Sequence, residues 1–356
     1  MKNIRTISFF VFLLSFILMF CGCDVKGDAV GSYRKIPVLI DAGETADIYP
    51  LLSQAVEREI ITPRHETAYK LHPVDSARYA WLKNARTSII VASLESPGPA
   101  GNLIRQSLTP DALKAIQSNM RWMVVKRNLW AGNQIIVFLT APTTEALAVQ
   151  LDLFGDDVFE AIDRSVNERV GEWLYGTAMG KGEQYELEDS IARAFGWGIR
   201  VPRYWSWEKG TGEDNFLWLR TLEPERWVFV WHTDMDTTID YDIAWWRHVR
   251  DSLCEIYYEG DSVARHTSVR MEGARIGGRP AVEIRGLWEN RLKHHGGPFV
   301  SYVLSDKVTR RVFIVDGAVF APIVPKEPYL RHVEIVCKSF QPDLPKFYEE
   351  RKTRED

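Results

Sequence analysis

Three strand-forming runs follow one another between Gly278 and Pro322 with only short connections between them. They read GRPAVEIRGLWE, then GGPFVSYVLS after a polar loop holding His294 and His295, then RRVFIVDGAVFAP. Short connections leave antiparallel pairing as the way to join them, because a parallel crossover needs a dozen or more residues. Along the first run Val282, Ile284 and Trp288 fall on one face and Glu283, Arg285 and Glu289 on the other, since strand side chains alternate. This sheet is the frame around which the second half of the chain must close.

Other elements of that half fit the frame. Leu187 to Phe195 is expected as a short helix ended by Gly196, and GWGIRVPRYW as a strand stopped by Pro202. NFLWLR (215–220) and WVFVWH (227–232) are two further strands. Ile243, Trp246, Val249, Leu253 and Ile256 mark a helix from about Asp240 to Tyr258, and Leu330, Val333, Cys337 and Phe340 a last one. Helices alternating with runs of strands predict an antiparallel sheet sandwiched with helices, an α+β domain over 185–341.

The first half, 35–178, is expected as a second α+β domain. KIPVLID (35–41), residues 69–74 and TSIIVASL (87–94) are strand candidates, with helices from Thr45 and over 75–83. The SPGPAG cluster at 96–101 breaks the chain, and Leu103 to Ser118 is helical with an interruption at Pro110. Residues 121–128 and 133–140 pair as a hairpin whose tip carries Trp130, either a packing anchor or an exposed aromatic contact. From Thr143, apolar positions in steps of three and four run to Trp173, a long amphipathic helix with a weak point at Gly155.

At 356 residues and 46% hydrophobic content the chain can bury cores for both domains. Lys2 and Arg5 precede an apolar run from Ile7 to Phe20, a positively charged then hydrophobic pattern that reads as a secretory signal over 1–22. The run falls short of the ~20 residues a membrane span needs. Gly22-Cys23 resembles the lipobox of bacterial lipoproteins, which implies a lipid anchor at Cys23, a polar tether over 23–34, and residence at the inner or outer membrane of a bacterial envelope. Without the first 22 residues the balance is 42 bases against 48 acids, which gives no electrostatic reason to bind nucleic acid. The two remaining cysteines, Cys254 and Cys337, are expected as buried thiols in helices, bridged only if those helices are neighbours. The charged tail, 342–356, is expected to fray.

Signatures of common chemistry are missing from the mature sequence: there is no GxSxG, HExxH or CxxC. GTAMGK at 176–181 has the wrong spacing for a phosphate loop, and the GTG at 210–212 lacks a third glycine and a following helix. The acidic run DMDTTIDYD (234–242) lacks the glycine and terminal glutamate of a calcium loop and reads as a helix cap. Adjacent His294 and His295 have no companion at metal-ligand spacing, and Gly296-Gly297 is read as part of a turn. No metal and no cofactor are expected.

Two readings remain for the charged strand face. Glu283, Arg285 and Glu289 form either a contact surface, with His294, His295 and Tyr302 at its rim, or a cross-strand ion ladder on a wet face, worth about 0.2–1 kcal/mol per pair. At the level of function these become a non-catalytic envelope module that binds a protein, peptide or glycan, or a hydrolase using Glu283 or Glu289 as acid or base.

NFLWLR (Asn215 to Arg220), AVEIRGLWE (Ala281 to Glu289) and GGPFVSY (Gly296 to Tyr302), in this order, resemble an uncharacterised lipoprotein family of Bacteroidetes-type bacteria, domain of unknown function 4837. RNLWAGNQ (Arg127 to Gln134), followed by an apolar strand and Ala141-Pro142, is similar to that family's first half, so the resemblance runs from about Lys35 to Phe340. It does not extend to the insert at 96–119 or to the histidine loop. The resemblance implies location and architecture but no catalytic residue. In layout the second half is also similar to the PsbP-like sandwich, with GIRVP (198–202) and KSF (338–340) in the corresponding places.

Overall fold

A computed structural model describes residues 26–75, 78–177, 182–208 and 215–355. The expected signal segment, Cys23, the GTG at 210–212 and most of GTAMGK lie outside these residues. In chain order the first elements are β1 (Lys35–Ile40), α1 (Thr45–Val56), β2 (Glu59–Ile60), β3 (Glu66–Thr67), β4 (Lys70–Pro73), α2 (Tyr79–Asn84) and β5 (Thr87–Val91). Next come α3 (Pro99–Ser107), α4 (Pro110–Gln117), β6 (Met123–Arg127), β7 (Ile135–Leu139), α5 (Thr144–Tyr175) and α6 (Tyr185–Phe195). The remainder is β8 (Ser206–Trp207), β9 (Phe216–Thr221), β10 (Glu225–Asp234), α7 (Ile243–Tyr257), β11 (Ser262–Val263) and β12 (Arg270–Ile276). It closes with β13 (Arg279–Asn290), β14 (His295–Asp306), β15 (Arg311–Phe320), α8 (Glu327–Lys338) and α9 (Leu344–Glu355). The class is α+β, as the alternation of elements predicts.

Two compact units divide the chain, one of residues up to Asp47 with His72–Ala148, the other of Ile48–Leu71 with Val149 onward. The first holds a five-stranded sheet in the order β4-β1-β5-β7-β6, with β1, β5 and β7 parallel and β6 antiparallel to β7. β5 and β7 are buried at every position, which is why both read as unbroken apolar runs. Ser96 to Gly98 break the chain between β5 and α3 as expected, but Pro99 to Gly101 are already helix. Pro99 sits in the first turn of α3, where its missing N–H is no loss. The Asp41 carboxylate accepts from the N–H groups of Ala100 (2.8 Å) and Gly101 (3.0 Å) and from Ser96 Oγ (2.6 Å), capping that helix.

The second unit is built on a sheet in the order β11-β13-β14-β15-β10-β9-β8, with β12 also paired to β13. All pairings are antiparallel, and β10 and β15 stay in register over ten residue pairs. α7 and α8 cover opposite faces, as two successive residues of β15 show. Asp316 meets Arg250 of α7, and Gly317 lies against Val333 and Cys337 of α8. On the α7 side Trp227, Phe229, Trp246, Trp288, Phe299 and Ile314 form the core, with the Trp227 and Trp288 rings 5.3 Å apart. Cys254 and Cys337 are free, buried and on opposite sides of the sheet.

Several expectations change here. Residues 198–204 are not a strand, because their N–H groups are taken elsewhere. Gly198 N donates to Gln341 O, Arg200 N to Ser339 Oγ and Val201 N to the Glu188 carboxylate. β12, largely exposed, was not expected at all. Gly296 and Gly297 lie inside β14 with ordinary strand backbone, and the residue at positive φ in that turn is His294. The tail is helix α9, not a fraying end: Phe347 is 1% exposed, packed over Gly198, and Arg351 pairs with Asp189 at 2.7 Å. Among the described residues no helix is long and apolar enough to cross a membrane.

Candidate functional site

The charged face of β13 is only partly open to water: Glu283 and Arg285 are half-buried, and Glu334 of α8 reaches Arg285. Glu283 and Tyr302 are direct partners across β13 and β14, so the Tyr302 hydroxyl donates to Glu283 Oε2 at 2.9 Å. Arg285, two residues on and on the same face, donates to Glu283 Oε1 at 2.5 Å and reaches Glu334 of α8 at 2.9 Å. Lys338, one helical turn on, meets the same Glu334 oxygen at 2.6 Å. Burial opposes the Glu334 charge, but Arg285 and Lys338 outweigh it and hold the carboxyl below its ordinary range. Two acids and two bases thus cancel one another and clamp the sheet to the helix, with no charge left over for a ligand.

The other predicted residues lie apart from this cluster. Glu289 accepts from Arg291 Nε at 3.0 Å. Six residues along a strand put it about 20 Å from Glu283, beyond the roughly 5–9.5 Å of carboxylate pairs that flank a glycosidic bond. His294 is exposed in the turn, and the exposed His295 ring lies 4.4 Å from Phe320. In the first unit Trp130 is half-buried, packed on the Ile90 and Phe138 core with its ring 6.4 Å from Tyr79. Val282, expected inside, is 39% exposed. Among the described residues no three His, Cys, Asp or Glu side chains gather as a metal site requires.

Sequence reasoning missed a cleft of about 620 Å³ in the second unit. The last turn of α5 contributes Trp173, the segment after Pro202 contributes Arg203 and Tyr204, and the β9–β10 hairpin contributes Arg220 of β9, Leu222 of the connection and Arg226 of β10. Trp173 continues the apolar spacing of its helix, which predicts burial, yet it is 59% exposed and stacks on His332 at 5.2 Å. Burial first, then Arg226 and Arg331, hold the His332 imidazole neutral, its pKa down to about 3. Tyr204, at φ +68°, stands 74% exposed with the Arg203 guanidinium 4.3 Å over its ring.

Arg226 is the least ordinary member. It is 8% exposed, donates from Nη1 to Pro224 O at 3.1 Å and lies 5.3 Å over the Tyr329 ring. Among the described residues its Nε has no partner and no carboxylate pairs with it. Burial pulls its pKa below the usual arginine value. Arg220, by contrast, is held by Glu225 at 2.9 Å.

A second cavity, about 680 Å³, runs beside Arg200, Lys338 and Arg354. Its cations are already neutralised: Arg200 makes two 2.7 Å bonds to Glu183, Lys338 pairs with Glu334, and Arg354 lies 3.4 Å from Glu183. The Trp173–Arg226 cleft is therefore the better candidate, because it alone of the two presents exposed aromatic faces with an unneutralised buried cation.

Comparison with known proteins adds little chemistry. No curated protein sequence matches the chain. A solved structure of the Saccharomyces cerevisiae Ran-binding protein Mog1p aligns at 11% identity and a TM-score of 0.29, over 42% of this chain and 92% of that one. The RNLWAGNQ segment of the first half lies outside the residues that the family model covers, which belong to the second unit. Residues 184–339 match the family model described as Domain of unknown function (DUF4837), and across them the chain carries that domain.

Proposed function

We propose that this chain is a lipid-tethered protein of the bacterial cell envelope whose second unit is a non-catalytic binding module, with the Trp173–Arg226 cleft as its ligand site. The observation that carries the binding reading is the pairing of two exposed aromatic rings, Trp173 and Tyr204, with the unneutralised Arg226 in one cleft. Other arginines buried in the unit are matched by acids and hold elements together, as Arg250 does with Asp316. The tether reading is supported by the basic, apolar and Gly22-Cys23 pattern at the N-terminus. Partner classes consistent with an aromatic cleft are a peptide, a protein loop or a glycan of the envelope. Crosslinking in intact envelopes tests this: the full-length chain is expected to capture a defined partner that Trp173→Ala with Tyr204→Ala no longer captures. Equal capture by that double variant would rule out the cleft as the binding site.

A further inference from the structure

The buried Arg250 and Arg331 of the second unit have acidic partners, and so does the half-buried Arg285. Arg250 has Asp316, Arg285 has Glu283 and Glu334, and Arg331 has Glu327 and Asp163. Arg226 departs from this pattern, and it is also the one of these four that lines the aromatic cleft. A buried cation without a counter-charge is unfavourable until an anion reaches it. The planar guanidinium fork matches a carboxylate or a phosphate, the two anions it can hold through paired hydrogen bonds.

The remaining lining narrows the ligand further. Trp173 and Tyr204 offer flat apolar faces against which the C–H face of a sugar ring can lie. Glu208, Glu223 and Ser206 line the same cleft, and their oxygens can accept from hydroxyl groups. A simple inorganic anion has no use for the aromatic faces and is repelled by the two glutamates. A neutral sugar leaves Arg226 without its counter-charge. The volume, about 620 Å³, lies within the range of small-ligand sites.

We infer that the cleft takes an acidic sugar, a pyranose bearing a carboxylate or a phosphate. The anionic group sits on Arg226, the ring lies against Trp173 and Tyr204, and hydroxyls donate to Glu208 and Glu223. This assignment rests on the cleft being the ligand site of the binding module.

Calorimetric titration of the full-length chain in detergent with glucuronate, glucose 6-phosphate and glucose tests it. One or both acidic sugars are expected to bind, with glucose at least about tenfold weaker. Binding of glucuronate alone identifies the carboxylate, and of glucose 6-phosphate alone the phosphate. Arg226→Gln is expected to weaken the acidic sugar about tenfold or more while leaving glucose unchanged and the thermal midpoint no lower. Arg226→Lys, which keeps the charge without the fork, should fall between them and serves if the glutamine variant does not fold. Trp173→Ala should weaken acidic and neutral sugars alike. Glucose binding as tightly as the acids, acidic sugars indifferent to Arg226→Gln, or no acidic sugar bound at about 10 mM would each overturn the inference. The binding-module reading survives those results if the Trp173→Ala, Tyr204→Ala variant still loses its crosslinked envelope partner, and falls with them if it does not.

Discussion

Arg250 of α7 and Asp316 of β15 form an ion pair sealed inside the second unit, with 2.8 and 3.3 Å contacts and side chains 2% and 0% exposed. The guanidinium also lies 4.3 Å over the Phe299 ring. On the adjacent strand β14, Ser301, the direct partner of Asp316, accepts from the Trp246 indole N–H at 2.9 Å, so α7 is keyed to the sheet by polar contacts inside an apolar layer. Arg250→Met leaves the aspartate buried and unpaired, and is expected to lose about 3–5 kcal/mol of stability in urea unfolding. Arg250→Met with Asp316→Leu should recover most of that loss. A double variant as unstable as the single one would mean the pair is more than mutual neutralisation.

Gly297 is required by crowding, not by backbone angle. A Cβ there would overlap the carbonyl oxygen of Val319 on the neighbouring strand and press on the Trp288 indole nitrogen. Backbone cannot step aside as a flexible side chain can, so Gly297→Ala should destabilise by about 1–3 kcal/mol, seen as a lower denaturant midpoint. Gly273→Ala, in the exposed strand β12 with open space around it, is the control and should leave the midpoint nearly unchanged.

Glu188 is fully buried, and burial first, then Glu183, raise its pKa from the ordinary 4.5 to about 8. One oxygen accepts from Val201 N at 2.8 Å; the other has no partner as a carboxylate, and when protonated it can donate toward Glu183. Between pH 4.5 and 8 the folded chain keeps a proton that the unfolded chain releases, so this group's contribution falls as pH rises through that window. Glu188→Gln keeps the acceptor and removes the charge. Its thermal midpoint should exceed the wild type by about 2 °C or more at pH 9 and converge with it near pH 4. A difference independent of pH would exclude this titration as the cause.

Cys23→Ala should leave an unprocessed precursor and abolish metabolic labelling with palmitate. Labelling that persists in the variant would refute a lipid anchor at this residue.

Much of the second unit was readable because its sheet is apolar where it is buried. β10, β14 and β15 carry buried residues almost without interruption, and α7 shows its inner face through Trp246, Val249 and Leu253. β12 escaped notice because RMEGARI has little to bury: it is strand only through its ladder with β13, and pairing leaves no mark on composition. The run from Gly198 to Tyr204 misled in the opposite way. Its β-prone residues are extended, but their N–H groups bond to side chains and to a distant loop, a choice set by tertiary partners.

The candidate cleft was hidden for related reasons. Trp173 obeys the apolar spacing of α5, and periodicity cannot say where the covering surface ends. Arg226 borders WVFVWH, and a sequence does not show that a bordering charge is buried or lacks a partner. Glu283 and Arg285 were placed on the correct face, opposite Ile284 and Trp288, but that α8 would reach that face depends on a packing no strand pattern encodes.

The last helix bears on how the protein can be handled. Phe347 fills the space that Gly198 leaves open, beside the buried Trp197, and Arg351 closes over Asp189 of α6. A chain trimmed to Pro342 would uncover that aromatic seat, so affinity tags belong beyond Glu355 on a flexible spacer. Protease treatment meant to tidy the charged tail would instead pull a plug from the second unit.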